Sequence, residues 1–105
     1  MKTKPPVNPR EEITTVRHSI IALLSRETLS AREISAIVHV GEKEVIEHLE
    51  HIRSASRHES PHLEVVPATC KVCGFTFRKR ERLTRPGRCP VCRSERIAEP
   101  LYTLR

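Results

Sequence analysis

Four cysteines fall as two C-x-x-C pairs, Cys70-Lys71-Val72-Cys73 and Cys89-Pro90-Val91-Cys92, with fifteen residues between Cys73 and Cys89. Each pair can place two thiolates on one ion while its backbone turns sharply. Cys70, Cys73, Cys89 and Cys92 together therefore predict a tetrahedral site for one soft divalent metal. A closed four-ligand site leaves no open position for a substrate, so the metal is expected to be structural. Gly74 follows the first pair, where a small residue lets backbone amides approach the sulfurs, and Pro90 stiffens the second. Phe75 and Phe77, two apart, should share one face of a hairpin strand, against the wing or the helical part of the chain.

The ligand set alone admits zinc or iron. Cys73-Gly74-Phe75 and Cys89-Pro90-Val91-Cys92 resemble the knuckles of rubredoxins, which would imply iron and electron transfer. Rubredoxins have an aromatic-rich shell, an acidic face and a Gly after the second pair. Here the chain has two Phe, a basic surface and Arg93, which favours one structural zinc over redox iron. A thiol-disulfide function is disfavoured because the paired cysteines satisfy one another through the metal. Six histidines, His18, His39, His48, His51, His58 and His62, are scattered without a nucleophile beside them. They are expected at surfaces or turns, and the chain is expected not to be an enzyme.

A chain of 105 residues has room for one compact domain or two small units. With Phe75, Phe77 and Tyr102 as its only aromatics, its core must rest on Ile, Leu and Val with a metal as staple. No apolar run suits a signal peptide or membrane span, so a cytoplasmic protein is expected, in a compartment where disulfides are disfavoured. The net charge of +6 is unevenly placed: residues 1–69 carry nine basic against ten acidic side chains, −1, and residues 70–105 ten against three, +7. A nucleic acid or another acidic surface is the partner such a balance suits.

These side chains need elements to position them. Residues 1–10, with three prolines and no periodicity, read as a flexible tail. Ile13, Val16, Ile20, Leu23 and Leu24 recur at helical spacing and predict a first helix over about Glu11–Ser25. Ser30 and Glu33 form the S-x-x-E start of a short second helix, whose apolar face is Ile34, Ile37 and Val38. Val45, Ile46, Leu49 and Ile52 predict a third over about Glu42–Ser54. Two short helices joined by a tight turn and preceded by a longer one make a helix-turn-helix. His39 stands at the turn position where Gly is usual and Ser35 at the small position of the second helix. Leu63-Glu64-Val65-Val66 and Leu101-Tyr102-Thr103-Leu104 read as strands, with Pro67 and Pro100 at their ends.

The expected class is α+β: a winged helix-turn-helix of three helices and a two-stranded wing over 11–69 and 98–105. A four-cysteine zinc ribbon, 70–97, is inserted between the wing strands. With these parts placed, the chain resembles a family of small prokaryotic predicted transcription regulators in which a winged helix-turn-helix carries a rubredoxin-like zinc ribbon. The likeness rests on Leu29–Ile52, Pro67-Ala68-Thr69-Cys70, Cys73-Gly74-Phe75, Arg78-Lys79-Arg80 and Cys89-Pro90-Val91-Cys92, and it implies a DNA-binding or transcription-associated role.

The third helix would present Glu42, Lys43, Glu44, Glu47, His48 and His51, an acidic face poorly suited to phosphates. Lys43 and protonated His48 or His51 could partly offset it. The stronger footprint for double-stranded DNA is Arg78, Lys79, Arg80, Arg82, Arg85 and Arg88 around the ribbon, continued by Arg93 and Arg96. Such contacts would fix position rather than read sequence. The competing reading is a module that docks on proteins of the transcription machinery. Monomer and homodimer are both compatible with the pattern, and no membrane partner is expected.

Overall fold

The computed structural model describes residues 9–78 and 82–105. The chain runs α1 (Pro9–Leu24), β1 (Leu29–Ser30), α2 (Ala31–Val38), α3 (Glu42–Ala55), β2 (Leu63–Val66), β3 (Thr69–Cys70), β4 (Ile97–Ala98) and β5 (Leu101–Leu104). The result is an α+β architecture of three helices and two small antiparallel sheets.

The start of α2 is built as its sequence demands. Ser30 Oγ accepts from the Glu33 amide at 3.1 Å while the Glu33 carboxylate accepts from the Ser30 amide at 3.0 Å, which closes the capping box. The helix ends at His39, whose φ of 59° puts it in the left-handed region, and its amide donates to the Ser35 carbonyl at 2.9 Å. Ser35 also uses its small size directly: its hydroxyl donates to the Val40 carbonyl and ties the α2–α3 turn to the helix that precedes it. Gly41 then opens α3 in an extended conformation.

β5 is the central strand of a three-stranded sheet ordered β1-β5-β2. It pairs with β2 in the register Leu63↔Leu104 to Val66↔Leu101, and with β1 through Leu29↔Tyr102 and Ser30↔Leu101. The β2–β5 pairing is the one the two apolar runs predict. The third strand is not: Leu29 and Ser30 read from sequence only as the approach to a helix, because two residues carry no alternation. Buried Thr103 donates from Oγ1 to the Leu24 carbonyl at 3.1 Å, so the sheet caps the end of α1.

Ile20 and Leu24 of α1, Ile34 of α2, and Val45, Leu49 and Ile52 of α3 meet Leu29, Leu63, Tyr102 and Leu104 of the sheet in one aliphatic core. Leu83, from the stretch that sequence assigns to the ribbon, is also buried in this core, and the Tyr102 hydroxyl donates to its carbonyl. A second core consists of Ala68, Cys70, Cys89 and Ile97, with Phe75 and Phe77 half-buried against it. The two rings meet edge to face, 5.0 Å between centroids and 86° between planes. They therefore fill the ribbon's own interior rather than the wing or the helical part, because the ribbon has few other apolar side chains to exclude water from the thiolates.

Helix bounds also differ from expectation. α1 begins at Pro9, so Pro9 and Arg10 of the expected tail are helical; proline is tolerated in a first turn, where its missing N–H has no intrahelical acceptor. The remainder of the expected tail, 1–8, lies outside the described residues.

Candidate metal centre and charged surfaces

Cys70 ends β3 at its pairing with β4 (Thr69↔Ala98, Cys70↔Ile97), and Cys89 lies in the segment between β3 and β4. The two knuckles repeat one hydrogen-bond pattern. Cys70 N–H donates to the Phe75 carbonyl at 2.8 Å and Cys89 N–H to that of Ser94 at 2.9 Å. Gly74 N–H donates to the Cys70 carbonyl at 3.0 Å, and Arg93 N–H to that of Cys89 at 2.9 Å. Val72 and Val91 each donate a backbone N–H to the sulfur two residues earlier, both at 3.4 Å. The fifth position of each knuckle is left-handed, with φ of 80° at Gly74 and 64° at Arg93. Arg93 thus occupies a conformation that glycine adopts without strain.

The four sulfurs converge. Cys70 and Cys92 Sγ lie 3.5 Å apart, as do those of Cys73 and Cys89, and all four are within 4.8 Å of one another. Tetrahedral zinc with Zn–S bonds of about 2.3 Å requires sulfurs about 3.8 Å apart, so the donor set fits the ion. Cys70 and Cys89 are buried, and Cys73 and Cys92 are exposed.

Ionisation within the cluster is uneven. The Cys73 backbone amide, opposed by burial and helped by the Val72 amide and neighbouring thiols, pulls Cys70 down to about 6. At Cys73 the Phe75 amide pulls downward, but burial and the neighbouring thiols prevail and push it up to about 12. Four sulfurs this close cannot all carry charge unaided; a divalent cation removes that conflict.

Of the residues expected to meet DNA, Lys43 and Arg85 line one cavity of about 400 Å³, with Glu42, Glu47 and Glu50 of α3 and Glu99 around them. The ribbon segment at Thr84 and Arg85 thus lies alongside the start of α3. Arg78 and Arg82 line another cavity with Phe77, Pro86 and Pro100. Arg88 sits apart, 3.5 Å from the Glu95 carboxylate in an exposed pair. Arg78, Arg82, Arg85 and Arg88 are all exposed. Lys79 and Arg80 lie outside the described residues.

His48 requires correction: it is 3 % exposed and faces the interior, not the outer face of α3. Its position, one helical turn from Val45 and Ile52, carries it onto the apolar side. Nδ1 accepts from Arg17 Nε at 3.3 Å, and burial first, then the Arg17 charge, pushes its pKa down from 6.5. Buried and bonded to Arg17, His48 is not presented to phosphates. The Arg17–His48 pair went unread in the sequence because 31 positions separate its members.

Among the described residues no helix is long and apolar enough to cross a membrane. Two family models match the chain: PF0610-like, N-terminal, over residues 15–61, and the PF0610 rubredoxin-like zinc beta-ribbon domain over 67–105. The fold is similar to the solution NMR structure of protein PF0610 from Pyrococcus furiosus, at 33% identity and a TM-score of 0.77, covering 100% of this chain and 98% of that one. No curated protein matches. With the sulfur geometry, the ribbon match establishes Cys70, Cys73, Cys89 and Cys92 as the ligands of one structural zinc ion rather than a redox centre.

Proposed function

This chain belongs to the PF0610-like family, and from that premise we propose that it is a DNA-binding transcription regulator, a winged helix-turn-helix whose zinc ribbon supplies the phosphate contacts. The reading of the helical part is supported by the capped α2, the left-handed His39 turn into α3, and the β1-β5-β2 sheet. β2 and β5 are its wing strands, and the ribbon at 70–97 is their loop.

The observation that carries the proposal is the contrast of exposed charge. Arg78, Arg82, Arg85 and Arg88 stand on the ribbon, while α3 exposes Glu42, Glu44, Glu47 and Glu50 against Lys43. Phosphate neutralisation supplies most of the affinity of such modules, so the duplex lies against the ribbon. With Thr84 and Arg85 beside the start of α3, the third helix is not the part that leads into a groove.

Retention of duplex DNA at two salt concentrations tests this on the zinc-loaded protein. Binding is expected to fall steeply with salt. Arg78→Ala with Arg82→Ala should weaken it on every sequence and reduce the log–log salt slope by about two, one counterion released per arginine. Loss confined to particular sequences, or no binding at low salt, overturns the phosphate reading.

A second reading, docking on proteins of the transcription machinery, is favoured by Val72 and Val91. They occupy equivalent places in the two knuckles and are 59% and 66% exposed. Retention of polymerase subunits without DNA binding would select it.

A further inference from the structure

α1 and α3, with Leu104 of β5 and Pro61, line an open cleft of about 340 Å³, within the usual range of small-molecule sites, roughly 300 to 1,000 Å³. Its walls are Ile21, Ile52, Ala55, Pro61 and Leu104. Its polar groups are Arg17, His18 and His51 together with the Thr14 and Ser56 hydroxyls, and no acidic side chain lines it among the described residues. In a molecule whose helical half carries ten acidic groups, a cleft whose described lining is cationic and neutral favours negative charge.

Arg17 is held in place rather than left to wander. Its Nε donates to Nδ1 of buried His48, 3.3 Å away, which orients the planar guanidinium from behind. Nε2 of His48 is buried with no hydrogen-bond partner among the described residues. Keeping a polar ring in the core at such a cost is understandable if the ring's work is to fix Arg17.

We propose that this cleft binds a small organic carboxylate, its apolar body between Ile21, Ile52 and Leu104 and its carboxylate on Arg17, with His18 and His51 at the rim. The planar fork of an arginine matches the two oxygens of a carboxylate. The five apolar wall residues give no reason to prefer a bare inorganic anion. The site is separate from the metal ribbon and stands whether or not the protein binds DNA.

Titration of the ¹⁵N-labelled, zinc-loaded full chain with sodium benzoate tests this, with benzamide and inorganic phosphate as comparisons. Saturable shifts are expected at the amides of Arg17, His18, Ile21, His51 and Ala55, with both comparison compounds at least about tenfold weaker, as loss of one charge-assisted contact or of the apolar body predicts. Arg17→Gln should weaken benzoate by about tenfold. Since that change also touches buried His48, His18→Gln with His51→Gln, both at exposed positions, gives an independent reading and should weaken it too. Absence of saturation, benzamide binding equal to benzoate, phosphate binding equal to benzoate, or unchanged affinity in both variants would each overturn the proposal.

Discussion

The helical core and the ribbon core differ in what excludes water from them. The first joins Ile20, Leu24, Ile34, Val45, Leu49 and Ile52 to the inner face of a three-stranded sheet, aliphatic except for Tyr102. The second, among the described residues, has Ala68, Ile97 and two half-buried phenylalanines around Cys70 and Cys89. At roughly 25 cal/mol per Å² of apolar surface buried, the helical core can stabilise its elements by packing. The ribbon cannot, with sheet pairing of just two residues on each strand. Its folding free energy must come from the metal. The comparison teaches that one short chain combines two routes to order, linked at Leu83 and Tyr102.

Metal removal should break the comparison most sharply. Chelation, or Cys89→Ser, is expected to unfold the ribbon, since metal binding and ribbon folding are one quantity of order 10 kcal/mol. In heteronuclear NMR spectra the amides of Phe75 to Phe77 and Ile97 should collapse to random-coil positions while those of α1 and α3 remain dispersed. A spectrum unchanged after complete zinc removal would contradict this.

The reciprocal change comes next. Leu49→Ala in the helical core should cost about 2–5 kcal/mol by transfer and cavity effects, read as a lower denaturation midpoint. Zinc affinity measured by chelator competition should stay near that of the parent. A comparable fall in zinc affinity would show the two cores to be a single cooperative unit.

Within the ribbon, the two left-handed positions sharpen the contrast between its halves. Gly74→Ala should destabilise and Arg93→Gly stabilise, each by about 1 kcal/mol, because Cβ is disfavoured at φ of 80° and 64°. Both effects should appear in zinc affinity rather than in helix stability.

The smallest effect belongs to His48. Its folded pKa lies below 6.5, so the neutral ring is the form the fold prefers. Its contribution is therefore present above pH 6.5 and lost as pH falls through the lowered value. Denaturation at fixed zinc should show parent stability declining over that window, with His48→Gln giving a flatter slope; identical slopes would remove His48 as the cause.

Local pattern was enough to read much of this molecule. The two C-x-x-C pairs announced the metal, since ligand spacing within four residues is set by the backbone between them. Ser30 with Glu33 announced the start of α2, and the runs at Leu63 and Leu101 announced strands. Less legible were features without local repetition. β1 is too short to alternate, and Leu83 stands alone among charged and turn residues. His48 looked like a surface histidine because its neighbours Glu47 and Glu50 are polar, although its helical phase with Val45 and Ile52 was available as a signal.

By itself, then, the sequence determined the ligand set, the helices, the capping box of α2, and the concentration of arginine in the C-terminal third. The C-x-x-C pairs, the helical periodicity and the capping box each depend on residues within a turn or two of each other, and the arginine count on composition alone. Only the tertiary structure decided that β5 lies between β1 and β2, that Leu83 crosses from the ribbon into the helical core, and that Arg17 rests on His48 beside a cleft with no acidic wall among the described residues. Those arrangements join residues tens of positions apart, and their partners are chosen by burial and packing in three dimensions, which no short-range pattern encodes.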